Sequence, residues 1–291
     1  MSSVRTPFVL VAAAVLTASL AACAPQDEPT AGAPAPTPSA NACTKDQLKT
    51  LKPGTFTVGT DKPAYAPWFS DDDPTNGKGY ESAVAYAVAE QLGFSRDEVT
   101  WITVPFTNAY APGDKKFDVD INQVSISPAR QKAVDFSSGY YDVAQAIVST
   151  KGSKIASAKS VAELKDAKLG AQVGTTSYTA INEQIQPTQK VAVYDTNDLA
   201  VQALKNGQID GIVVDLPTAF YMVAAQVDDG VIVGQLPAGS GTPDQFGMVL
   251  AKGSPLTPCV SQAVDALKSD GTLAKLEAEF LSNTDGAPKL S

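Results

Sequence analysis

The sequence predicts an α/β protein built as two similar lobes, each a mostly parallel sheet flanked by helices. Three observations carry that expectation. Short strand-like runs alternate with segments whose apolar residues recur at helical spacing, the order that produces a doubly wound sheet. The pattern also echoes itself: "VGTDKPAY" at 58 and "VGTTSYTA" at 173 both close a strand with Val-Gly-Thr, while "FDVDINQVS" and "QIDGIVVDLP" are both Asp-led strands ending in polar residues. Finally, the chain from Cys43 onward is long enough for one large domain or two smaller lobes.

In chain order, "GTFTVGT" (54–60) alternates in character and closes on Gly59, as a strand does. "GYESAVAYAVAEQLGF" (79–94) carries Ala, Val, Tyr and Leu at helical spacing, with Gly93 where a C-terminal cap falls. "EVTWITVPF" (98–106) and "FDVDINQVSIS" (117–127) read as strands separated by a loop containing "APGDKK". "AKLGAQVGTTSYTAINEQI" reads as strand, turn and helix, and "TNDLAVQALKNG" as a helix capped by Thr196 or Asn197 and stopped by Gly207. "QIDGIVVDLPTAFYMVAAQV" is a buried strand, a turn and a helix with Pro217 early in it. "PCVSQAVDALKSDGTLAKLEAEFL" closes the fold as one or two amphipathic helices.

An address precedes the fold. Arg5 is followed by the apolar run "FVLVAAAVLTASLAA", which ends at "LAAC" (20–23) in the order of an export signal. Small residues just before Cys23 resemble the lipobox of bacterial lipoproteins, in which that Cys carries the lipid; the alternative is a Cys behind an ordinary signal peptide. "APQDEPTAGAPAPTPSANA" then has too little apolar surface to fold and reads as an extended tether. The two remaining cysteines, Cys43 and Cys259, are an even pair in an exported chain and invite a disulfide, against the alternative of two separate thiols.

Net charge is −9, with no basic cluster to meet phosphates, which argues against a nucleic-acid partner. Histidine is absent from the sequence, which removes Ser-His-Asp and Cys-His catalysis and imidazole zinc sites. The "DDDP" run (71–74) lacks the spaced oxygen ligands of a calcium loop, so neither a metal nor a cofactor is expected.

In open α/β sheets ligands sit beyond the carboxyl ends of the strands, which gathers "TDKPAYAPWF", "SISPAR", "GTTS" and "VDLP" if the lobes face each other. Arg130, after a strand punctuated by Pro128, offers a planar fork suited to a carboxylate; its alternative is a solvated surface charge. "GTTS" opens a helix, and the free N–H groups around Thr175 and Thr176 favour an anion. Asp215 can accept from an ammonium group, cap the next helix, or both. Ser125 and Ser127 can donate or accept beside either charge. Tyr65, Trp68 and Phe69, joined by Phe106, can wall in a side chain, or Tyr65 and Trp68 can lie on a lobe surface. One carboxylate site and one ammonium site a few ångströms apart describe the head of an α-amino acid.

These blocks are similar to those of family 3 extracellular solute-binding proteins, the polar amino-acid receptors of ABC importers. The similarity runs from about Lys52 to Leu281 and includes "TFTVGTDKPAYAPWF", "GKGYESAVAYAVAEQLGF", "FDVDINQVSISPARQKAVDFSSGYYD", "LGAQVGTTSY", "ALKNGQIDGIVVDLPTA" and "FGMVLAKGSPL". The resemblance implies a two-lobed type II clamshell with Arg130 and the N–H groups around Thr175 and Thr176 on the ligand carboxylate. Asp215 falls on the ammonium, with Ser125 also at the head group. Asp61 and Tyr65 fall at the side-chain pocket, and Gln123 stands where a small polar residue is common. The "TDKPAYAPW" block is one residue longer than the family pattern.

The implied crossing between lobes lies near Asp142 to Gln145 and the return near Leu236 to Ser240. The expected division is therefore leader 1–22, tether 23–42, lobe 1 in 43–144 and 238–285, lobe 2 in 145–237, and a tail at 286–291. The resemblance implies a monomeric receptor on the extracytoplasmic face of the cell membrane, delivering a polar amino acid to a permease without making or breaking a bond. Two rivals share the scaffold: a sensor feeding a signalling system, and a dehydratase-like enzyme acting on small carboxylates.

Overall fold

A computed structural model describes residues 43–238, 244–281 and 286–291. The leader, Cys23 with its expected lipid, the tether and Ser240 of the expected return lie outside the described residues. Among those described, no helix is long and apolar enough to cross a membrane.

Strands β1 (Phe56–Thr60), β2 (Val99–Thr103), β3 (Val119–Asp120), β4 (Val134–Val143) and β10 (Asp244–Ala251) form the sheet of lobe 1, in the order β2-β1-β3-β10-β4. Strands β5 (Gln145–Thr150), β6 (Leu169–Gln172), β7 (Ala192–Tyr194), β8 (Gly211–Asp215) and β9 (Gly230–Gln235) form that of lobe 2, in the order β7-β6-β8-β5-β9. Lobe 1 carries α1 (Tyr80–Gln91), α2 (Phe106–Ala109), α3 (Pro128–Gln131), α7 (Thr257–Ser269) and α8 (Thr272–Phe280). Lobe 2 carries α4 (Thr176–Ala180), α5 (Asn197–Lys205) and α6 (Leu216–Tyr221); α4 and α6 each run on into a wider π turn, Ile181–Ile185 and Met222–Gln226.

Each sheet is mostly parallel, as expected, with one reversed strand, β10 in lobe 1 and β5 in lobe 2. The pairs β1–β2, β1–β3, β6–β7 and β6–β8 are parallel, whereas β10 is antiparallel to β3 and β4, and β5 is antiparallel to β8 and β9. The reversal follows from the crossings. Strand β4 leaves lobe 1 and β10 returns to it, so as neighbours they run in opposite directions; β5 and β9 stand in the same relation in lobe 2. Expected strand 117–127 forms a regular strand only over the two residues of β3; Gln123, at a left-handed φ of 48°, interrupts the ladder, and Ser125 then bridges Phe246 of β10.

Both faces of each sheet are covered. In lobe 1 an aromatic-rich cluster under α1, α7 and α8 contains Trp68, Tyr80, Tyr140, Tyr141 and Phe246, and a smaller one on the other side contains Val104, Phe106, Phe117 and Phe136. Lobe 2 has two aliphatic clusters, one around Ile147, Leu164, Leu169 and Ile181 and one around Val148, Ile212, Val214 and Met222. The start of α1 is set by the preceding loop: Pro67 and Trp68 carbonyls accept from the N–H groups of Tyr80 (3.1 Å) and Glu81 (2.9 Å). That close approach needs Gly79, at φ 94°, since a Cβ there would sit 2.6 Å from the Phe69 Cα.

The sulfurs of Cys43 and Cys259 lie 2.08 Å apart, with Cα atoms at 5.3 Å, which sets the start of the described chain against the first turn of α7. The last six residues, read from the sequence only as a tail, pack on lobe 2. Gln235 N–H donates to the Pro288 carbonyl (2.7 Å), Leu290 N–H donates to that of Gln235 (3.0 Å), and Leu290 is buried in the aliphatic cluster around Ile147. Leu281, just after α8, is buried in lobe 1, so the chain crosses between lobes a third time.

Candidate functional site

The strands of both lobes end on one cavity. It is lined from lobe 1 by Asp61, Tyr65, Phe69, Phe106, Asn122, Gln123, Ser125 and Arg130, and from lobe 2 by Gln172, Thr175, Thr176, Ser177, Asn197, Asp215 and Thr218. Of the residues singled out from the sequence for the site, all but Trp68 and Ser127 are gathered on one cavity.

Arg130 follows Ser127, whose hydroxyl caps α3 by accepting from the Arg130 N–H. This short turn folds the side chain back, so Nη1 donates to the Ser125 carbonyl (2.7 Å) and Nη2 crosses to the Gly174 carbonyl of lobe 2 (2.9 Å). The guanidinium is stacked 4.4 Å from the Tyr110 ring centroid and 5.6 Å from that of Phe106. Its remaining donors are free of these two carbonyls and suited to a planar anion. Tyr110 also donates to the Gly174 carbonyl (3.1 Å), and Gly174, at φ 72°, leaves room that a Cβ would take from its hydroxyl.

On the opposite wall, Thr175 caps α4 by accepting from the Tyr178 N–H (3.3 Å), which leaves first-turn amides directed at the cleft. Thr176 meets Ser125 across the lobes, hydroxyl to hydroxyl at 3.1 Å. Asp215 stands at the N-cap of α6 but makes no side-chain cap bond; its Oδ1 accepts from Gln145 Nε2 (2.7 Å). Burial pushes its carboxyl up to about 7, against the lowering effects of that hydrogen bond and of the Arg130 charge. A cation placed beside Asp215 would restore its ionised form. The arrangement offers a buried cation on one lobe and a half-buried acid on the other, both facing one space.

Toward the side-chain end, Asp61 accepts from the backbone N–H of Lys62 (2.7 Å) and Phe106 (3.1 Å), which orients its carboxylate. The Tyr65 hydroxyl is buried without a hydrogen-bond partner, and burial together with the Asp198 charge pushes its phenol up. Buried, unpartnered polar atoms from both lobes, Asn122 Nδ2 and Asn197 Oδ1, face this end too.

Two expectations are corrected. Trp68 does not wall the cleft: it is fully buried in lobe 1, edge-on to Tyr80, Tyr141 and Phe246 at centroid distances of 6.1, 5.4 and 5.5 Å. The hydrogen bonds from α1 to the carbonyls of Pro67 and Trp68 turn the indole inward. Gln123 lines the cavity, yet its polar groups turn away, with its N–H on Glu81 Oε1 (2.7 Å) and its amide Nε2 on Glu81 Oε2. Tyr140 donates to the same carboxylate, and burial pushes Glu81 up to about 7 despite these donors.

Sequence reasoning missed Gln145, which holds Asp215 and accepts from Ser177 (2.6 Å), and Tyr110, which stacks on Arg130. Gln145 had a signal in its position at the expected crossing. Tyr110 had none, since its loop joins the site only through tertiary packing.

Residues 56–283 match the model of the bacterial extracellular solute-binding proteins, family 3. The L-cystine-binding protein TcyJ of Escherichia coli (strain K12) is 31% identical over 235 residues, covering 80% of this chain and 84% of that one. An ancestral arginine-binding protein bound to glutamine superposes with a TM-score of 0.65 at 31% identity, covering 79% of this chain and 99% of that one. The ancestral amino acid-binding protein AncCDT-1, a precursor of cyclohexadienyl dehydratase, gives 0.63 at 32% identity, with 78% and 95% covered. On this match and this shared fold, the chain belongs to the family 3 bacterial extracellular solute-binding proteins.

Proposed function

We propose that the chain is a receptor on the extracytoplasmic face of the cell membrane, held by a lipid on Cys23 and braced by a Cys43–Cys259 disulfide. It traps a polar amino acid between its lobes and delivers it to the permease of an ABC importer. The observation that carries this reading is the pairing of Arg130 on lobe 1 with Asp215 on lobe 2 across one cavity. An α-carboxylate on the Arg130 fork and α4 amides, with an α-ammonium on Asp215, gives each charge a partner. Because the partners sit on different lobes, the ligand binds the closed form better than the open one. That differential drives closure. Ser125 and Thr176 close over the head group, while Asp61, Tyr65 and Phe106 face the side chain. Recognition is then the whole of the chemistry, as in relatives whose names describe amino-acid binding.

Calorimetric titration tests it. The chain from Cys43, unfolded and refolded to strip carried-over ligand, is titrated with all twenty amino acids. Micromolar binding of one or a few, about −8 kcal/mol, is expected. Silence across the panel with turnover of a small carboxylate would instead favour the dehydratase-like reading, and binding in cells that show a signalling defect without an uptake defect would favour a sensor.

A further inference from the structure

The side chain that left the cleft has a second contact. The Trp68 Nε1–H donates across the lobe boundary to Thr218 Oγ1 at 3.0 Å. Thr218 lies on α6, three residues beyond Asp215, and both donor and acceptor residues are buried, at 0% and 6% exposure. We propose that this hydrogen bond is an interlobe latch, and that Trp68 is a positioning residue that sets where α6, and with it Asp215, comes to rest when the lobes close. The inference rests on the receptor reading above.

Three features make the indole a suitable donor for this. It has no torsional freedom left to lose, because Tyr80, Tyr141 and Phe246 surround its ring and α1 holds the carbonyls of Pro67 and Trp68. It belongs to lobe 1 while Thr218 belongs to lobe 2, so the bond exists only in the closed form. A buried indole N–H that fails to find its acceptor costs the desolvation of that group, so closure in a wrong register is penalised as well as the right one favoured. The backbone of α6 is meanwhile pinned at the crossing, where Leu216 N–H donates to the Ala144 carbonyl (2.9 Å). Crossing and latch together fix the helix start that presents Asp215. Other interlobe bonds, from Tyr110 and Arg130 to Gly174 and from Ser125 to Thr176, act on the α4 end instead.

A double-mutant cycle tests the latch. Trp68→Phe keeps a ring in the core and removes the donor, Thr218→Val removes the acceptor at constant shape, and Thr218→Ser restores it. The full chain and these variants are titrated with the amino acid that the wild type binds best out of the twenty, and association and dissociation rates are followed by stopped flow. Each single loss is expected to raise the dissociation rate about five- to tenfold with the association rate unchanged; Thr218→Val should leave the melting temperature of the unliganded protein in place, while Trp68→Phe lowers it through the lost core volume. The double variant should be no weaker than either single one, and Thr218→Ser, which keeps the hydroxyl, should dissociate more slowly than Thr218→Val. Additive losses would mean that Thr218 acts by touching the amino acid alone, and would overturn the latch. Unchanged dissociation in Thr218→Val, or a loss of affinity in that variant matched by an equal fall in its unliganded stability, would also overturn it. A wild type that binds none of the twenty counts against the receptor reading, and the latch is then judged by small-angle scattering. A larger radius of gyration for Trp68→Phe than for the wild type supports it, and equal radii overturn it.

Discussion

Lobe 1 packs Trp68, Tyr80, Tyr140, Tyr141 and Phe246 into one aromatic block and buries two acids, Glu81 and Asp120, beneath the cleft. The buried clusters of lobe 2 contain only aliphatic side chains and one methionine, and its share of the site comes from helix starts at Thr175 and Asp215. The same α/β plan is therefore filled in two ways. Large rings with few rotamers and polar anchors fix the lobe 1 wall, including the donor that carries Arg130. Interchangeable aliphatics suffice in lobe 2 because backbone amides, whose direction the helix itself sets, do much of the work there. Lobe 1 is the rigid half of the site in side chains, lobe 2 in main chain.

The largest expected effect on binding breaks the lobe 1 contribution outright. Arg130→Ala removes the guanidinium, its bonds to Ser125 and Gly174 and its stacking on Tyr110. Binding of the amino acid identified by titration should fall by at least about 100-fold, since a buried charge loses its partner. The melting curve should move little, as Arg130 stands at the cleft rather than in either core. Retained affinity with a normal melting curve would remove Arg130 from the site.

The largest expected effect on stability comes from the proposed Cys43–Cys259 bridge. Cys43 and Cys259 enclose 216 residues of sequence separation, and both pack on the lobe 1 aromatic cluster. Replacing both with Ser should cost about 5 kcal/mol by the loop-entropy relation. Hydrogen exchange sharpens the contrast between lobes: protection should fall first in β1, α1 and α7, with β6 and β8 following only if the lobes unfold as one unit. A unchanged melting temperature in oxidised and reduced samples would show that the bridge is not formed.

A smaller effect belongs to lobe 2. Leu290→Ala takes a buried side chain from the aliphatic cluster under β9 and should cost about 2–4 kcal/mol. Its exchange signature should be the mirror of the disulfide variant, appearing at β5 and β9. An effect below about 0.5 kcal/mol would mean that the C-terminal segment is not docked in solution.

These contrasts also explain what was legible beforehand. Arg130, Thr175, Thr176 and Asp215 could be gathered because each sits where a strand ends or a helix begins, and the end of a parallel strand has a known direction. Trp68 could not be placed, because "PAYAPWF" gives ring after ring and only the capture of the Pro67 and Trp68 carbonyls by α1 decides which ring faces inward. Likewise "GAPKLS" has too little pattern to reveal a strand partner, and its docking depends on an exposed edge of β9 that local sequence does not encode. The one reversed strand in each sheet was not legible for a related reason, since its direction follows from where the chain crosses between lobes.

The effect that depends on pH is the most specific to lobe 1. Glu81 is fully buried and its carboxyl is pushed from an ordinary 4.5 up to about 7 by burial, even with Tyr140 and Gln123 donating to it. Between those two values the folded protein keeps a proton that the unfolded chain has lost, so stability falls as pH rises through that window. The contribution is fully present below about 4.5 and gone above about 7. Asp215, raised to about 7 by burial in the unliganded cleft, tilts stability in the same direction from lobe 2, and Asp120, whose carboxyl oxygens are buried without partners, adds to the lobe 1 side. Glu81→Gln keeps the shape and an acceptor for the Gln123 N–H while removing the titration. Denaturant unfolding from pH 5 to 8 should show a flatter profile for Glu81→Gln than for the wild type, with both close together near pH 5. Adding the bound amino acid should flatten the Asp215 part alone, because a ligand ammonium favours the ionised carboxylate. Parallel wild-type and Glu81→Gln profiles would mean that Glu81 is ionised in the folded protein throughout, and that lobe 1 carries a buried charge where the aromatic block and its hydroxyls imply a neutral anchor.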